Sequence, residues 1–133
     1  MKLFHSAASP YVRKTVVLLH ELGKSDAVQL EPVVTTAFAS DEALKAANPL
    51  GKLPSLQRDV GVTLYDSRVI CAYLNDRAGA KLYGSGARHW EILTLEATAD
   101  GILDAALLMV YEWRLRPEDL RMPDWVEGLS LIH

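Results

Sequence analysis

The chain has 133 residues, 50% of them hydrophobic and 23% charged, with a formal net charge of −3. That composition suits a compact domain, or a small domain plus a further helical piece, and excludes a disordered chain. The acidic balance and the lack of a dense Lys/Arg run exclude the basic face of a nucleic-acid binder.

Arg114, Arg116 and Arg121 come nearest to such a run, but they alternate with Glu118, Asp119 and Asp124 and read as a solvated helix end. Cys71 is the single cysteine, so neither an intrachain disulfide nor a Cys-rich zinc site is expected, and no metal. The apolar run near residue 1 is too short for a signal sequence. The stretch from Ile102 to Tyr111 carries Asp104 and is too short to cross a membrane. A reducing cytoplasm is the expected location.

In chain order, residues 1–5 read as a short strand. Ser9 and Pro10 then give a helix start, with Ser at the N-cap and Pro at the first helical position. Val12, Thr15, Val16, Leu18, Leu19 and Leu22 recur at helical spacing, and Gly23 suits the C-terminal cap, so the spacing predicts a helix over 10–22. Residues 28–34 read as a second strand, placed at an edge by Pro32. Residues 41–47 form a short helix that ends before Asn48-Pro49. "LPSLQ" and "GVTLY" make a hairpin about "RDVG". Asp66-Ser67 opens a further helix with Val69, Ile70, Tyr73 and Leu74 on one face, ending near Gly79. The small residues of 78–86 read as a linker. A long helix runs from about Ala87 to Leu115, where Pro117 ends it, and "PEDLRMPDW" is a second break. The order is βαβαββα followed by helix: an α/β layer at 1–77, a linker at 78–86, and an all-α remainder at 87–133.

Three stretches of the first domain carry possible chemistry. Ser9 opens a helix, whose N-terminus offers N–H donors and partial positive charge to an anion. Read alone, Ser9 is a cap; it is also a hydroxyl able to donate to a thiolate. Pro54 sits at the mouth of a strand, where a cis Leu53–Pro54 bond would turn the Leu53 backbone outward to pair with an extended peptide. Read alone, it is a trans proline that starts a strand. Asp66 and Ser67 open the third helix, either as caps or as a pair that holds the ammonium and carboxylate of an amino acid.

"FHSAASPYVRK", "NPLGKLPSL", "LYDSRVICAYL" and "EATADGILDAAL", in this order and at this spacing, resemble the glutathione transferase family over residues 1 to about 115. The "SPxxRK" start is similar to bacterial, serine-type members. No Tyr stands on the strand side of Ser9, where Phe4 and His5 occupy the strand end. The resemblance implies a thioredoxin-like first domain with cis Pro54. It implies that Leu53 lends its backbone to the cysteinyl unit of glutathione. Asp66 and Ser67 would bind the γ-glutamyl end, Lys52 the glycyl carboxylate, and Ser9 would face the sulfur. Pro10, Tyr11, Asp104, Leu108 and Tyr111 are the expected lining of a second-substrate cleft. Arg13 either supports the site or bridges to an acidic neighbour. Asp100 and Asp104, at i and i+4, either serve that cleft or are structural. Cys71 reads as a buried structural thiol.

The resemblance is incomplete after the linker. One long helix and a broken tail stand where the family has several helices, and "VEGLSLIH" does not read as an amphipathic helix. A truncated second domain is therefore expected, with an exposed apolar face on residues 90–111 that favours a homodimer. The implied function is a transferase that activates glutathione thiolate against a small electrophile. A non-catalytic glutathione-binding or protein-interaction module is the alternative. A glutaredoxin-type oxidoreductase is disfavoured, because Ser9 and Val12 stand where its two thiols belong.

Overall fold

The computed structural model of the chain describes residues 1–36 and 38–130. It divides into two compact units, Met1–Gly84 and Ser85–His133. The first contains β1 (Lys2–His5), α1 (Pro10–Glu21), β2 (Gln29–Pro32), α2 (Glu42–Ala47), β3 (Ser55–Gln57), β4 (Leu64–Tyr65) and α3 (Ser67–Arg77). Its four-stranded sheet has the order β2-β1-β3-β4. The β1/β2 pair is parallel and the other two pairs are antiparallel. This is the thioredoxin-like layer expected from the element order, with the Pro32-containing strand at an edge.

Local chemistry explains the elements. Ser9 accepts the Val12 N–H at 3.3 Å, and Pro10 follows at the first helical position. Asp41 accepts the Leu44 N–H at 2.9 Å and starts α2 in the same way. Gly23 and Gly79 take positive φ just beyond α1 and α3, where a side chain would be strained.

Leu3, Leu19, Val28, Leu56, Ile70 and Leu74 form one core cluster, joining α1 and α3 to the sheet. Leu3 and Phe4 are neighbours on β1 and so point to opposite faces, yet both are buried. The middle of the sheet is therefore covered on both sides. The buried stripe of α3 is Ser67, Ile70, Cys71 and Leu74. Val69, expected on that stripe, is 48% exposed. The stripe follows the i, i+3, i+4, i+7 positions from Ser67, and Val69 lies off it. Cys71 is buried as expected, its Sγ 4.0 Å from Thr15 Oγ1 of α1.

The second unit contains α4 (Ala87–Leu115), a 3₁₀ turn at Glu118–Leu120, and α5 (Pro123–Ser130). The broken tail expected from the sequence is thus a helix over residues 123–130; residues 131–133 of "VEGLSLIH" lie outside the described residues. Pro123 opens this helix as well as interrupting the chain before it. Glu112 supplies the anchor. Its buried carboxylate accepts the Met122 N–H at 2.8 Å and the Arg116 guanidinium at 2.7 Å. Burial pushes this carboxyl up, but the Met122 N–H and Arg116 outweigh burial and hold it below the usual glutamate range. No helix among the described residues is long and apolar enough to cross a membrane.

Leu56 is fully buried on β3 opposite Leu3. Leu56→Ala is expected to cost about 2–5 kcal/mol of stability, and Val69→Ala under about 1 kcal/mol. Urea unfolding of both variants against the wild type measures the difference.

Candidate functional site

Strand register brings three distant segments to one end of the sheet. β1 runs from Lys2 to His5 and leads into the Ser9 cap, so Ser9 follows its C-terminal end. β3 is antiparallel to β1, with Ser55 opposite Phe4. Leu53 and Pro54 therefore enter at that same end. β4 is antiparallel to β3, with Tyr65 opposite Ser55, so Asp66 and Ser67 leave there too. Ser9, Leu53-Pro54 and Asp66-Ser67 thus share one end of the sheet in the first unit, although they are spread over residues 9–67.

The Ser9 side chain uses a lone pair to cap α1. A hydroxyl has two acceptor sites and one proton, so capping leaves the proton to give. The two readings of Ser9 are compatible. The Leu53–Pro54 peptide bond is cis. Pro54 is buried and anchors this turn, Leu53 is half-buried and Lys52 is exposed, while the Lys52 carbonyl is held inward by Asn48 and Ser55.

Asp66 adopts φ 67, in the left-handed region that an L-residue with a Cβ rarely takes. Its Oδ1 accepts the Arg68 N–H at 2.9 Å and caps α3. Arg68 also spans both carboxylate oxygens, at 3.3 Å each. These side-chain hydrogen bonds, and then the Arg68 backbone and nearby charges including Lys14, hold the Asp66 carboxyl below the usual range against a smaller opposing effect of burial. Its charge therefore stabilises the fold above the unfolded aspartate pKa, and the contribution is lost as pH falls through the lower folded value. Ser67 is buried at the first turn of α3, with Asp66 engaged on the Arg68 N–H rather than on the Ser67 hydroxyl.

Of the expected second-substrate residues, Pro10 and Tyr11 lie on the first turn of α1, next to Ser9. Asp104, Leu108 and Tyr111 lie on α4 of the second unit, at i, i+4, i+7 spacing, and all three are exposed. Asp100 is buried, unlike Asp104, so the pair does not act as one acidic face. Among the described residues, no group of three or more His, Cys, Asp or Glu side chains gathers as a metal site. The sequence reading missed Asn48. The sequence places it only just past α2, at the start of "NPLGKLPSL"; it is fully buried and bonded into the Lys52 turn. An Asn-Pro directly after a helix, seven residues before a serine, was the available signal.

Residues 3–82 match the model of the glutathione S-transferase N-terminal domain, and the chain belongs to the glutathione S-transferase family. It is 36% identical over 114 residues, 84% of its length, to the uncharacterised GST-like protein YibF of Escherichia coli strain K12. It also resembles a glutathione transferase family member from Pseudomonas fluorescens Pf-5, solved with bound glutathione, at 45% identity and a TM-score of 0.92 over 97% of this chain. A glutathione S-transferase from Methylobacterium radiotolerans, in complex with glutathione sulfonate, matches at 28% identity and a TM-score of 0.81 over 98% of this chain. The chain spans 54% of the E. coli protein, 64% of the Pseudomonas chain and 60% of the Methylobacterium chain.

The Asp66 carboxyl is expected to titrate below the ordinary aspartate value of about 3.9, and to return toward it in Arg68→Ala. Carbon-detected NMR titration of the side chain reads both midpoints; an unchanged midpoint in the variant would remove Arg68 as the cause.

Proposed function

We propose that the chain binds glutathione at this sheet edge and activates its thiol for attack on a small electrophile, as a serine-type bacterial transferase. The observation that carries the reading is the convergence, through register, of a helix-capping hydroxyl, the Leu53-Pro54 turn and a second helix start. Each matches one part of the tripeptide. Asp66 takes the γ-glutamyl ammonium on its Oδ2 side, and the Ser67 hydroxyl with the start of α3 takes the adjoining carboxylate. The Leu53 backbone pairs with the cysteinyl unit, with Pro54 fixing the turn behind it. Lys52 meets the glycyl carboxylate.

The sulfur then lies before the N-terminus of α1. A free thiol has a pKa near 8.5 and is mostly protonated at neutral pH. The α1 N-terminus and the Ser9 proton both favour the thiolate over the thiol. Ser9 acts as a hydrogen-bond donor, not as a nucleophile. The thiolate forms a bond to an electrophilic carbon, displacing a leaving group such as halide or adding across an activated double bond. Pro10 and Tyr11, beside Ser9 on the first turn of α1, meet the electrophile on this reading.

The domain limits proposed on this reading are 1–77 for glutathione binding, 78–86 for the linker and 87–133 for the helical part, in a cytoplasmic homodimer. Self-association is supported by the apolar side chains that α4 leaves exposed, among them Trp90 at 68%, Leu95 at 70% and Trp113 at 48%. Light scattering at micromolar concentration is expected to give twice the chain mass; a monodisperse monomer counts against the homodimer.

Calorimetry is expected to show glutathione binding to the wild type at sub-millimolar concentration. Ser67→Ala should weaken it by about tenfold or more, the scale of a hydrogen bond to a charged group. Ser9→Ala should keep most of the affinity but raise the pKa of the bound thiol, read from thiolate absorbance against pH, and slow conjugation of electrophilic substrates. Binding with no response to Ser9→Ala in either readout would favour the non-catalytic module. No binding at millimolar glutathione would sink the transferase reading.

A further inference from the structure

Asn48 is fully buried, and a buried amide is tolerated only when its polar atoms are paired. All of its partners belong to one stretch of chain. Nδ2 donates to the Lys52 carbonyl oxygen at 3.0 Å and to Ser55 Oγ at 3.0 Å. Oδ1 accepts the Leu50 N–H at 2.9 Å. Ser55, also fully buried, donates its own proton to the Lys52 carbonyl at 2.9 Å. The Asn48 backbone N–H bonds back to the Leu44 carbonyl at the end of α2, and its carbonyl accepts the Gly51 N–H, each at 2.8 Å. The Gly51 carbonyl is held in turn by Ser40 Oγ at 3.1 Å.

The Lys52 carbonyl thus receives two hydrogen bonds, as many as its lone pairs allow. That oxygen and the Leu53 N–H belong to one peptide unit. The unit is planar and trans, since Leu53–Pro54 is the cis bond of this turn, so its C=O and N–H point in opposite directions. Fixing the oxygen against the buried Asn48 and Ser55 side chains fixes the N–H on the opposite side, away from them. One end of the staple is the last turn of α2. The other is Ser55, held in the sheet opposite Phe4.

We infer that Asn48 is a positioning residue for the ligand: by gripping the Lys52 carbonyl it aims the Leu53 N–H at the cysteinyl backbone and sets the direction in which the Lys52 side chain leaves, while touching no ligand atom itself. This rests on the glutathione reading above. It separates Asn48 from a residue that only stabilises the fold, because its effect is confined to one part of the site. Ser67, at the start of α3, lies outside the staple.

Glutathione affinity, measured by calorimetry in a mutant cycle, tests this. Asn48→Ala should weaken binding by about tenfold or more. In the wild-type background Lys52→Ala should also cost about tenfold; in the Asn48→Ala background its further cost should fall below about twofold, the non-additivity of residues that share one network. The Ser67→Ala penalty should be the same in both backgrounds. The inference is overturned if Lys52→Ala costs the same factor with and without Asn48, or if the Lys52 and Ser67 penalties vanish together, which marks general loosening. Where circular dichroism shows Asn48→Ala to be unfolded, Ser55→Ala, which removes one member of the ring, carries the same comparison. A folded wild type that does not bind glutathione overturns the glutathione reading and this inference with it. A wild type that binds, with additive Asn48 and Lys52 effects, overturns the positioning role alone.

Discussion

The pairing of Phe4 with Ser55 is the constraint on which the site depends. It fixes the register of β3 against β1, and β4 inherits its register through Ser55 opposite Tyr65. A slip of one residue would turn Leu56 out of the core and move Leu53 along the edge. Burial of Leu3, Phe4 and Leu56 therefore does more than stabilise the sheet. It sets which backbone groups reach the edge between the two helix starts. Core packing and the geometry of the candidate site are coupled through the same strand.

At Ser9 and Asp66 the observed cap and the proposed ligand contact do not conflict. A cap contact at Ser9 consumes an acceptor position, whereas a thiolate requires a donor. At Asp66 the cap and Arg68 occupy Oδ1, while Oδ2 accepts the Arg68 guanidinium at 3.3 Å; a carboxylate oxygen has two lone pairs, so it can accept an ammonium as well. The left-handed backbone of Asp66 is paired with that double duty, since the residue both ends β4 and starts α3 within one step. The choice posed by the sequence, cap or ligand group, dissolves once lone pairs and protons are counted separately.

What was legible in the sequence was what short-range chemistry decides. Ser9-Pro10, Asp66-Ser67 and the glycines after α1 and α3 announce helix ends within a few residues, and the element order of the first domain follows from them. The strands were legible because Pro32, and the turn at 58–61, punctuate them. Three things were not. The buried face of α3 depends on which side meets α1, and the sequence put Val69 and Tyr73 on it although the stripe runs through Ser67, Ile70, Cys71 and Leu74. Helix α5 depends on Glu112, ten residues away, to engage the Met122 N–H, so Pro123 read as a stop rather than a start. The Asn48 staple depends on the turn conformation that brings Lys52 and Ser55 back to one amide. No spacing rule encodes such a ring, although each member is a common turn residue.

The charge balance sharpens the case for this edge. Glutathione carries two carboxylates and one ammonium near neutral pH, and the chain has a net charge of −3, so attraction cannot come from the protein as a whole. It has to be local. The starts of α1 and α3 direct N–H groups at the edge, and Lys52 adds an exposed ammonium. Lys14 acts on the same region, as its effect on the Asp66 carboxyl shows. The Asp66 carboxylate stands beside these donors, and it is the one proposed to receive the single ammonium of the ligand. On the proposed reading, the sign pattern of the edge is complementary to the tripeptide end for end. Under that proposal the pattern would orient the ligand as well as bind it, because reversing glutathione would bring its ammonium toward Lys52 and its glycyl carboxylate toward Asp66.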